Sequence, residues 1–294
     1  MRIYIVCLSV LMNFLFITIS AQNLTIRKAF ETKTDDDNKP ATFSFTNPKG
    51  NANSFLINAG IGYDFYKINR IKTTLGGFFV YNINNQIGKE QNNYKLGITG
   101  NTLFDLSKEK NTWGIIGRHS LQIKRDFVDT NYSAIASTYW HLISKKQKSI
   151  KLSGYANPSK RVAYFFTPLL GLEYQNMIEN LKKSEKTLGS DFRIFFGPCF
   201  NFLIRKGKVD SLKGSKFIEF VFEYDYRQSI TNTIVGADKN SQLLKCGLNI
   251  YPLKANNDFS IGIKYNNGAN PMDGIKNQEY WMISFQYIIS PKMK

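Results

Sequence analysis

The fold of this chain is decided by residues 218–227, which read IEFVFEYDYR. Apolar or aromatic side chains occupy every second position, and charged side chains occupy most of the positions between them. Successive side chains of a β-strand point to opposite faces, so a period of two predicts a strand with one apolar face and one charged face. Such a strand separates two environments, one of them apolar and the other aqueous or crowded with polar groups.

The same alternation recurs along most of the chain. It covers residues 55–65, 71–83, 94–105, 113–124, 132–142, 161–175, 192–205, 244–250, 259–265 and 281–289. Several segments reach the ~9–11 residues that a tilted strand needs to cross a bilayer, whereas strands of soluble proteins usually run ~5–6 residues. Aromatic side chains favour the segment ends, which would lie at headgroup depth. Because an open sheet edge cannot survive in hydrocarbon, the segments predict a closed antiparallel transmembrane β-barrel.

The strand count must be even if both chain ends lie in the periplasm, so these segments require one more strand. Two candidates alternate in the right way, Ala41–Thr46 and Ser149–Ala156, and the first is preferred. We therefore predict an all-β barrel of about 12 strands, with long outer loops and shorter periplasmic turns. The long outer loops are predicted at residues 177–190, 229–240 and 266–278, a further outer loop at 84–92, and inner turns at 206–214 and 254–257.

The start of the chain has the pattern of a secretory signal peptide. Residues 1–21 combine a basic start at Arg2, an apolar run over 3–19 and small residues directly before Gln22. Residues 22–40 are polar and are predicted to be a flexible periplasmic lead. The barrel itself is predicted to occupy residues 41–294.

These features together resemble a known class of protein. The start that ends Ser20-Ala21-Gln22, the long alternating strands and the aromatic-rich last strand, 281–289, resemble outer-membrane β-barrels of the Bacteroidota. The last strand resembles the signal read by the barrel-assembly machinery, although here residues 290–294 follow it. The resemblance implies a Gram-negative outer membrane as the location, with outer-membrane lipid, lipopolysaccharide and the assembly machinery as partners. It points to no characterised family, so no functional residue is carried over.

The charge of the chain limits the classes of partner that it is expected to bind. The formal net charge is +17 at pH 7, which suits nucleic acid, anionic lipid or an acidic ligand. An exported location argues against nucleic acid. Inward parity predicts a set of pore-lining residues: Lys72, Lys95, Arg118, Arg161, Arg193, Glu219, Glu223, Asp225, Lys245 and Lys264. Glu219, Glu223 and Asp225 share one strand and are predicted to form a cross-strand ionic network with basic residues of the strands on either side, Arg193 and Arg205 before and Lys245 after.

No motif for catalysis or for metal binding stands out. Neighbouring His119 and Ser120 point to opposite faces of a strand, and His141 and Ser144, three residues apart, also oppose each other. Only a serine from an adjacent strand, such as Ser120, could therefore meet His141. Cys199 has inward parity and Cys246 has outward parity, so the two are predicted to stay unpaired. The cysteines and histidines do not have zinc-site spacing. We predict no catalytic residues, no cofactor and no bound metal, and hence no enzyme.

Three functional interpretations remain open. A barrel of about 12 strands lies between small barrels filled by side chains and the ~16–18-stranded porins with open channels. The preferred interpretation is a narrow, porin-like channel for small, weakly anionic solutes. The alternative is a closed structural or interaction barrel that binds partners through its outer loops, and the third is a lipid-modifying barrel enzyme. An open lumen or a side-chain plug would separate the first two.

Overall fold

A computed structural model describes residues 24–27, 41–48, 54–68, 73–84, 91–105, 113–144, 161–180, 188–206, 216–234, 237–252, 259–270 and 275–287. Within these ranges no helix is long and apolar enough to cross a bilayer. The strands are β1 Leu24–Arg27, β2 Ala41–Pro48, β3 Ser54–Ile68, β4 Thr73–Asn84, β5 Gln91–Asp105, β6 Trp113–Asp126, β7 Asn131–Ser144, β8 Val162–Asn180, β9 Gly189–Arg205, β10 Lys216–Asn232, β11 Asn240–Ile250, β12 Phe259–Asn270 and β13 Ile275–Tyr287.

Strands β2 to β13 form a closed antiparallel ring. Each strand pairs with its neighbours in the chain, from β3 beside β4 through to β12 beside β13. The ring closes at β2, where Ser44 lies opposite Ser284 of β13 on one side and opposite Leu56 of β3 on the other. Every strand of the ring therefore has a partner on both sides, which is how a sheet satisfies its backbone groups without water.

The predicted strands are confirmed. The eleven alternating segments correspond to β3–β13, and the twelfth strand of the ring is β2, the preferred candidate. The other candidate, Ser149–Ala156, lies outside the described residues. One further short strand, β1, falls in the segment predicted to be a lead, and it pairs with β3 through Leu24 and Tyr63. Alternation could not reveal β1, because so short a strand contains too few repeats.

We call the end of the barrel that carries the start of β2 and the end of β13 the inner end, and the opposite end the outer end. The outer connections are shorter than predicted, because the strands extend into all three of the long loops. β8 continues to Asn180 and β9 begins at Gly189; β10 continues to Asn232; β12 continues to Asn270 and β13 begins at Ile275. Beyond a membrane both faces of a strand meet water, so polar residues can extend it without any hydrophobic alternation.

The two faces of the ring have opposite character. On the outward face Leu96, Leu121 and Leu170 expose 55–58% of their surface, whereas on the inward face Arg227 exposes 1% and Glu219 exposes 2%. Soluble proteins show the reverse distribution, with charged groups outside and leucines inside. A continuous apolar surface of this extent is stable when it faces the hydrocarbon of a bilayer. The fold is therefore an antiparallel transmembrane β-barrel, as the sequence predicted.

Aromatic side chains mark the two borders of the apolar surface. Near the outer end, the ring of Tyr265 lies 5.1 Å from that of Trp281, and the hydroxyl of Tyr81 donates to Asn92 Oδ1 at 2.9 Å. Near the inner end, Trp113 begins β6 and is 45% exposed. Amphipathic rings are stable at headgroup depth, so we call these two levels the outer girdle and the inner girdle. The hydrocarbon-facing surface lies between them.

Candidate functional site on the inner wall

The structure places most of the predicted pore-lining residues on the inner wall. Lys95, Arg118, Arg193, Glu219 and Asp225 are buried there, while Glu223, Lys245 and Lys264 are half-buried at inward strand positions. Arg161 differs, because it precedes β8 and is exposed, with its carbonyl accepting a hydrogen bond from the Arg205 backbone. It therefore belongs to the inner end of the barrel and not to its wall. Lys72 lies outside the described residues.

The predicted cross-strand network forms around Lys245. Its ammonium nitrogen lies 3.3 Å from a Glu223 carboxylate oxygen and 3.6 Å from an Asp225 carboxylate oxygen. The register places Lys245 directly opposite Glu223, while Asp225 lies opposite Leu243. One cation thus bridges two inward carboxylates on β10, which keeps like charges on one strand face from repelling each other.

Glu219 lies at another depth on the same strand and has partners of its own. It accepts a hydrogen bond of 2.6 Å from the Tyr251 hydroxyl and one of 3.4 Å from Asn249, and it lies 3.5 Å from the Lys216 ammonium. Glu219 is four residues from Glu223, which corresponds to about 13 Å along a strand. Shared parity placed the three carboxylates on one face but could not place them at one depth.

A second network, which sequence reasoning missed, links β8 with β10. The Arg227 Nε atom donates to both carboxylate oxygens of Glu173, at 2.9 and 3.2 Å, and both side chains are almost fully buried. The Tyr139 hydroxyl donates to the same carboxylate at 2.6 Å. Arg227 also lies 3.8 Å from Asp225, so it joins the Lys245 network to Glu173. The only signal in the sequence was the inward parity of Glu173 and Arg227.

Aromatic rings fill the wall beside this pair. The ring of Phe195 makes an edge-on contact with Tyr139 at 5.2 Å, and the Arg227 guanidinium lies 4.9 Å from the centre of the Phe195 ring. A Cβ atom added at Gly197 would overlap the Phe195 ring, and one added at Gly171 would overlap the Tyr139 ring. Each ring therefore lies flat over a glycine. Together with Leu169, the two rings form a buried cluster within the barrel.

Basic groups dominate another sector of the wall, on β5 and β6. Lys95 and Lys124 lie directly opposite each other, and both are 3% exposed. Asp126, two residues along β6, has a carboxylate oxygen 3.5 Å from the Lys124 ammonium. Arg118 is buried on the same strand. The inward Lys95, Lys124 and Arg118 give this sector of the wall a positive character.

No arrangement for nucleophilic catalysis emerges from the pairings. Ser120 hydrogen bonds to Ser137 at 2.7 Å, while His141 lies opposite Ile116, four residues before Ser120 on β6. That spacing is about 13 Å, so a Ser120–His141 pair does not form. The part of the chain that the structure describes contains no group of three histidine, cysteine or acidic residues able to hold a metal. That the protein is no enzyme remains a prediction.

The chain matches no protein-family model and no curated protein. Among solved structures it is similar to the NanC porin, with 10% identity and a TM-score of 0.45 over 85% of this chain and 100% of the porin. It is also similar to the transport unit of the autotransporter AIDA-I from Escherichia coli, with 13% identity and a TM-score of 0.44 over 94% of each chain. The outer-membrane channel DcaP of Acinetobacter baumannii gives 10% identity and a TM-score of 0.38 over 91% of this chain and 72% of that one.

Proposed function

We propose that this protein is an integral outer-membrane β-barrel whose lumen is closed by its own side chains and which acts through its surfaces. The proposal rests on the position of Arg227. This side chain points inward, is 1% exposed, forms a salt bridge with Glu173 and lies against the Phe195 ring. The apolar outward face and the two girdles support a membrane location, and the signal-like start of the chain supports the outer membrane. In an open pore, water would reach a guanidinium that points toward the axis.

The energetics of the inner wall favour the closed state. Opening the lumen would require Arg227 and Glu173, which bond each other in the wall, to separate. The lumen would also have to expose Phe195 and Leu169, which are 0% and 1% exposed. These contacts favour the closed arrangement of the side chains.

A surface role is supported by the outer rim, which continues above the outer girdle as hydrogen-bonded backbone. The Thr233 backbone donates to the Ser190 carbonyl at 2.9 Å, and the Ser190 backbone donates to the Thr233 hydroxyl at 2.8 Å. The Ser229 backbone donates to Lys239 at 2.7 Å. These bonds give β8–β11 a raised, ordered rim, which suits the binding of a partner at the cell surface or of lipopolysaccharide.

Conductance in planar bilayers tests this proposal on the full chain. The wild-type protein should insert without conductance steps. The double variant Tyr139→Ala/Phe195→Ala should open steps, because it removes both rings from the wall. The matched control is Trp140→Ala/Phe196→Ala, which removes the outward-facing neighbours on the same two strands and should stay silent. Steps from the wild-type protein would contradict the closed lumen; a silent inward double variant would show that this cluster is not the closure.

A narrow channel with mild anion preference is the second candidate, and the opposed Lys95 and Lys124 favour it. If the wild-type protein conducts, neutralising Lys72, Lys95 and Arg118 together should shift the reversal potential toward cations, because fixed positive charge in a pore attracts anions. An unchanged reversal potential would show that these side chains do not line the ion path.

A further inference from the structure

A polar pair interrupts the apolar surface at its middle. His119 is exposed on the outward face of β6, halfway along the strand between Trp113 at the inner girdle and Arg125 near the outer girdle. On either side of it along the strand lie outward leucine and isoleucine side chains, with Leu121 55% exposed. Ionisable side chains are costly at the bilayer midplane, and they mark functional positions by default.

The hydrogen-bond partner of His119 lies on the next strand. The His119 Nδ1 atom is 2.8 Å from the Thr138 hydroxyl oxygen. If the hydroxyl donates, His119 Nε2 carries a hydrogen that can be donated and the Thr138 oxygen keeps an acceptor site. If Nδ1 donates, His119 Nε2 is an acceptor and the Thr138 hydroxyl is a donor. Either tautomer leaves one donor and one acceptor, and acyl chains satisfy neither.

Two glycines flank this pair at outward positions, Gly117 and Gly100. A Cβ atom added at Gly117 would lie 3.1 Å from His119 Nε2 and 3.4 Å from the Trp140 ring, and one added at Gly100 would lie 2.8 Å from the Leu75 side chain. The imidazole and its apolar neighbours therefore lie over the glycine backbone, which holds His119 close to the wall beside Thr138.

We propose that this polar pair is the contact surface for a second copy of the chain. The occupant must present a donor and an acceptor at midplane depth, and lipids carry their polar groups at the headgroups. Two copies inserted in one membrane place His119 and Thr138 at equal depth, so a two-fold axis along the membrane normal brings the pairs together. Each imidazole then bonds the Thr138 hydroxyl of the partner copy, and the two bonds are equivalent by symmetry.

The contact can be tested with the full chain in phosphatidylcholine–phosphatidylglycerol vesicles. In a Cys7→Ser/Cys199→Ser/Cys246→Ser background, a reporter Leu121→Cys lies beside the polar pair, and a control Ile263→Cys lies on outward-facing β12, away from it and 47% exposed in the wild type. A short bismaleimide should cross-link the reporter into dimers but leave the control monomeric. Adding His119→Leu or Thr138→Val should weaken dimerisation about tenfold, the effect of losing two interfacial hydrogen bonds in a membrane.

His119→Gln separates interface loss from misfolding, because glutamine keeps a donor and an acceptor. It should retain more cross-linking than His119→Leu, while heat-modifiable migration in gels confirms that all the variants are folded. Equal cross-linking at Leu121→Cys and Ile263→Cys, or cross-linking that His119→Leu leaves unchanged, would overturn the proposal. The inference rests on the membrane placement of the barrel and not on its closed lumen, so its outcome is independent of the conductance measurements.

Discussion

At the scale of single residues, the inner wall depends on charged side chains that are buried in pairs. Glu173 and Arg227 are each about 1% exposed and bond each other, and Tyr139 and Phe195 cover the remaining sides. Desolvating a charge is expensive, and an opposite charge with good geometry offsets the cost. Removing either side chain would leave the other as a buried charge without its counter-ion, which would destabilise the wall.

Replacing Arg227 with methionine should destabilise the barrel by about 3–5 kcal/mol, because Glu173 would remain buried without its cation. Urea unfolding in detergent micelles, followed by tryptophan fluorescence, measures the loss. The control is Lys245→Met, whose wild-type side chain is 33% exposed, so that water can replace it; its effect should be about 1 kcal/mol or less.

The double variant Glu173→Gln/Arg227→Met should recover most of the stability lost in Arg227→Met, since it removes the uncompensated carboxylate. If Arg227→Met and Lys245→Met unfold at the same urea concentration, Arg227 and Glu173 do not stabilise the wall in the way described.

At the scale of elements, alternation fixes which face a side chain takes, and pairing fixes which neighbour it meets. Thr167 of β8 lies directly opposite Cys199 of β9, and both are buried on the inner wall. The adjacent pair, Pro168 opposite Pro198, has outward parity. Prolines have no N–H, so this pair cannot exchange backbone hydrogen bonds, and the register between β8 and β9 depends on the pairs around it.

Thr167→Cys should therefore form a disulfide with Cys199 under mild oxidation. Directly paired antiparallel residues have Cα atoms about 4.5–5.5 Å apart, which lies within the range for disulfides. Peptide mass spectrometry detects the cross-link. Phe166→Cys is the matched control, because it lies one position along β8 and faces outward, so it should remain a free thiol. A disulfide from Phe166→Cys, or none from Thr167→Cys, would contradict the register or the facing of β8.

At the scale of the whole molecule, closing the ring gives every strand two partners and turns one face of the sheet toward lipid. The aromatic girdles then set the depth of the barrel in the membrane. Trp113 and Trp281 belong to the inner and outer girdles and expose 45% and 56% of their surface, and Trp140 also has outward parity on β7. The three tryptophans therefore report on contact with lipid.

Brominated lipids should quench this fluorescence, and bromines placed near the headgroup should quench more than bromines near the chain ends. The reason is that the exposed tryptophans lie at the girdles and not at the midplane. Trp113→Phe/Trp281→Phe should lose most of the depth-dependent signal. Quenching that is strongest near the chain ends would contradict the placement of the girdles, and quenching only by a water-soluble agent would contradict the membrane location.

Much of the fold could be predicted from the sequence, because alternation is a property of the backbone itself. Successive side chains of a strand must point in opposite directions, so Leu170 outward and Glu173 inward followed from their positions along one segment. The length of the segments then required a membrane, and the membrane required closure. The ends of β8 and β12 did not follow, since above a bilayer neither face of a strand needs to be apolar.

The partners on the inner wall were decided only by the tertiary structure. Glu173 and Arg227 lie on β8 and β10 with β9 between them, and they meet because Gly197 of β9 leaves room for the flat ring of Phe195. Parity assigns a face but neither a depth nor a neighbour, so it grouped Glu219 with Glu223 although they have different partners. Facing is fixed by local covalent geometry, whereas contacts across the lumen depend on register and closure, which the whole chain determines together.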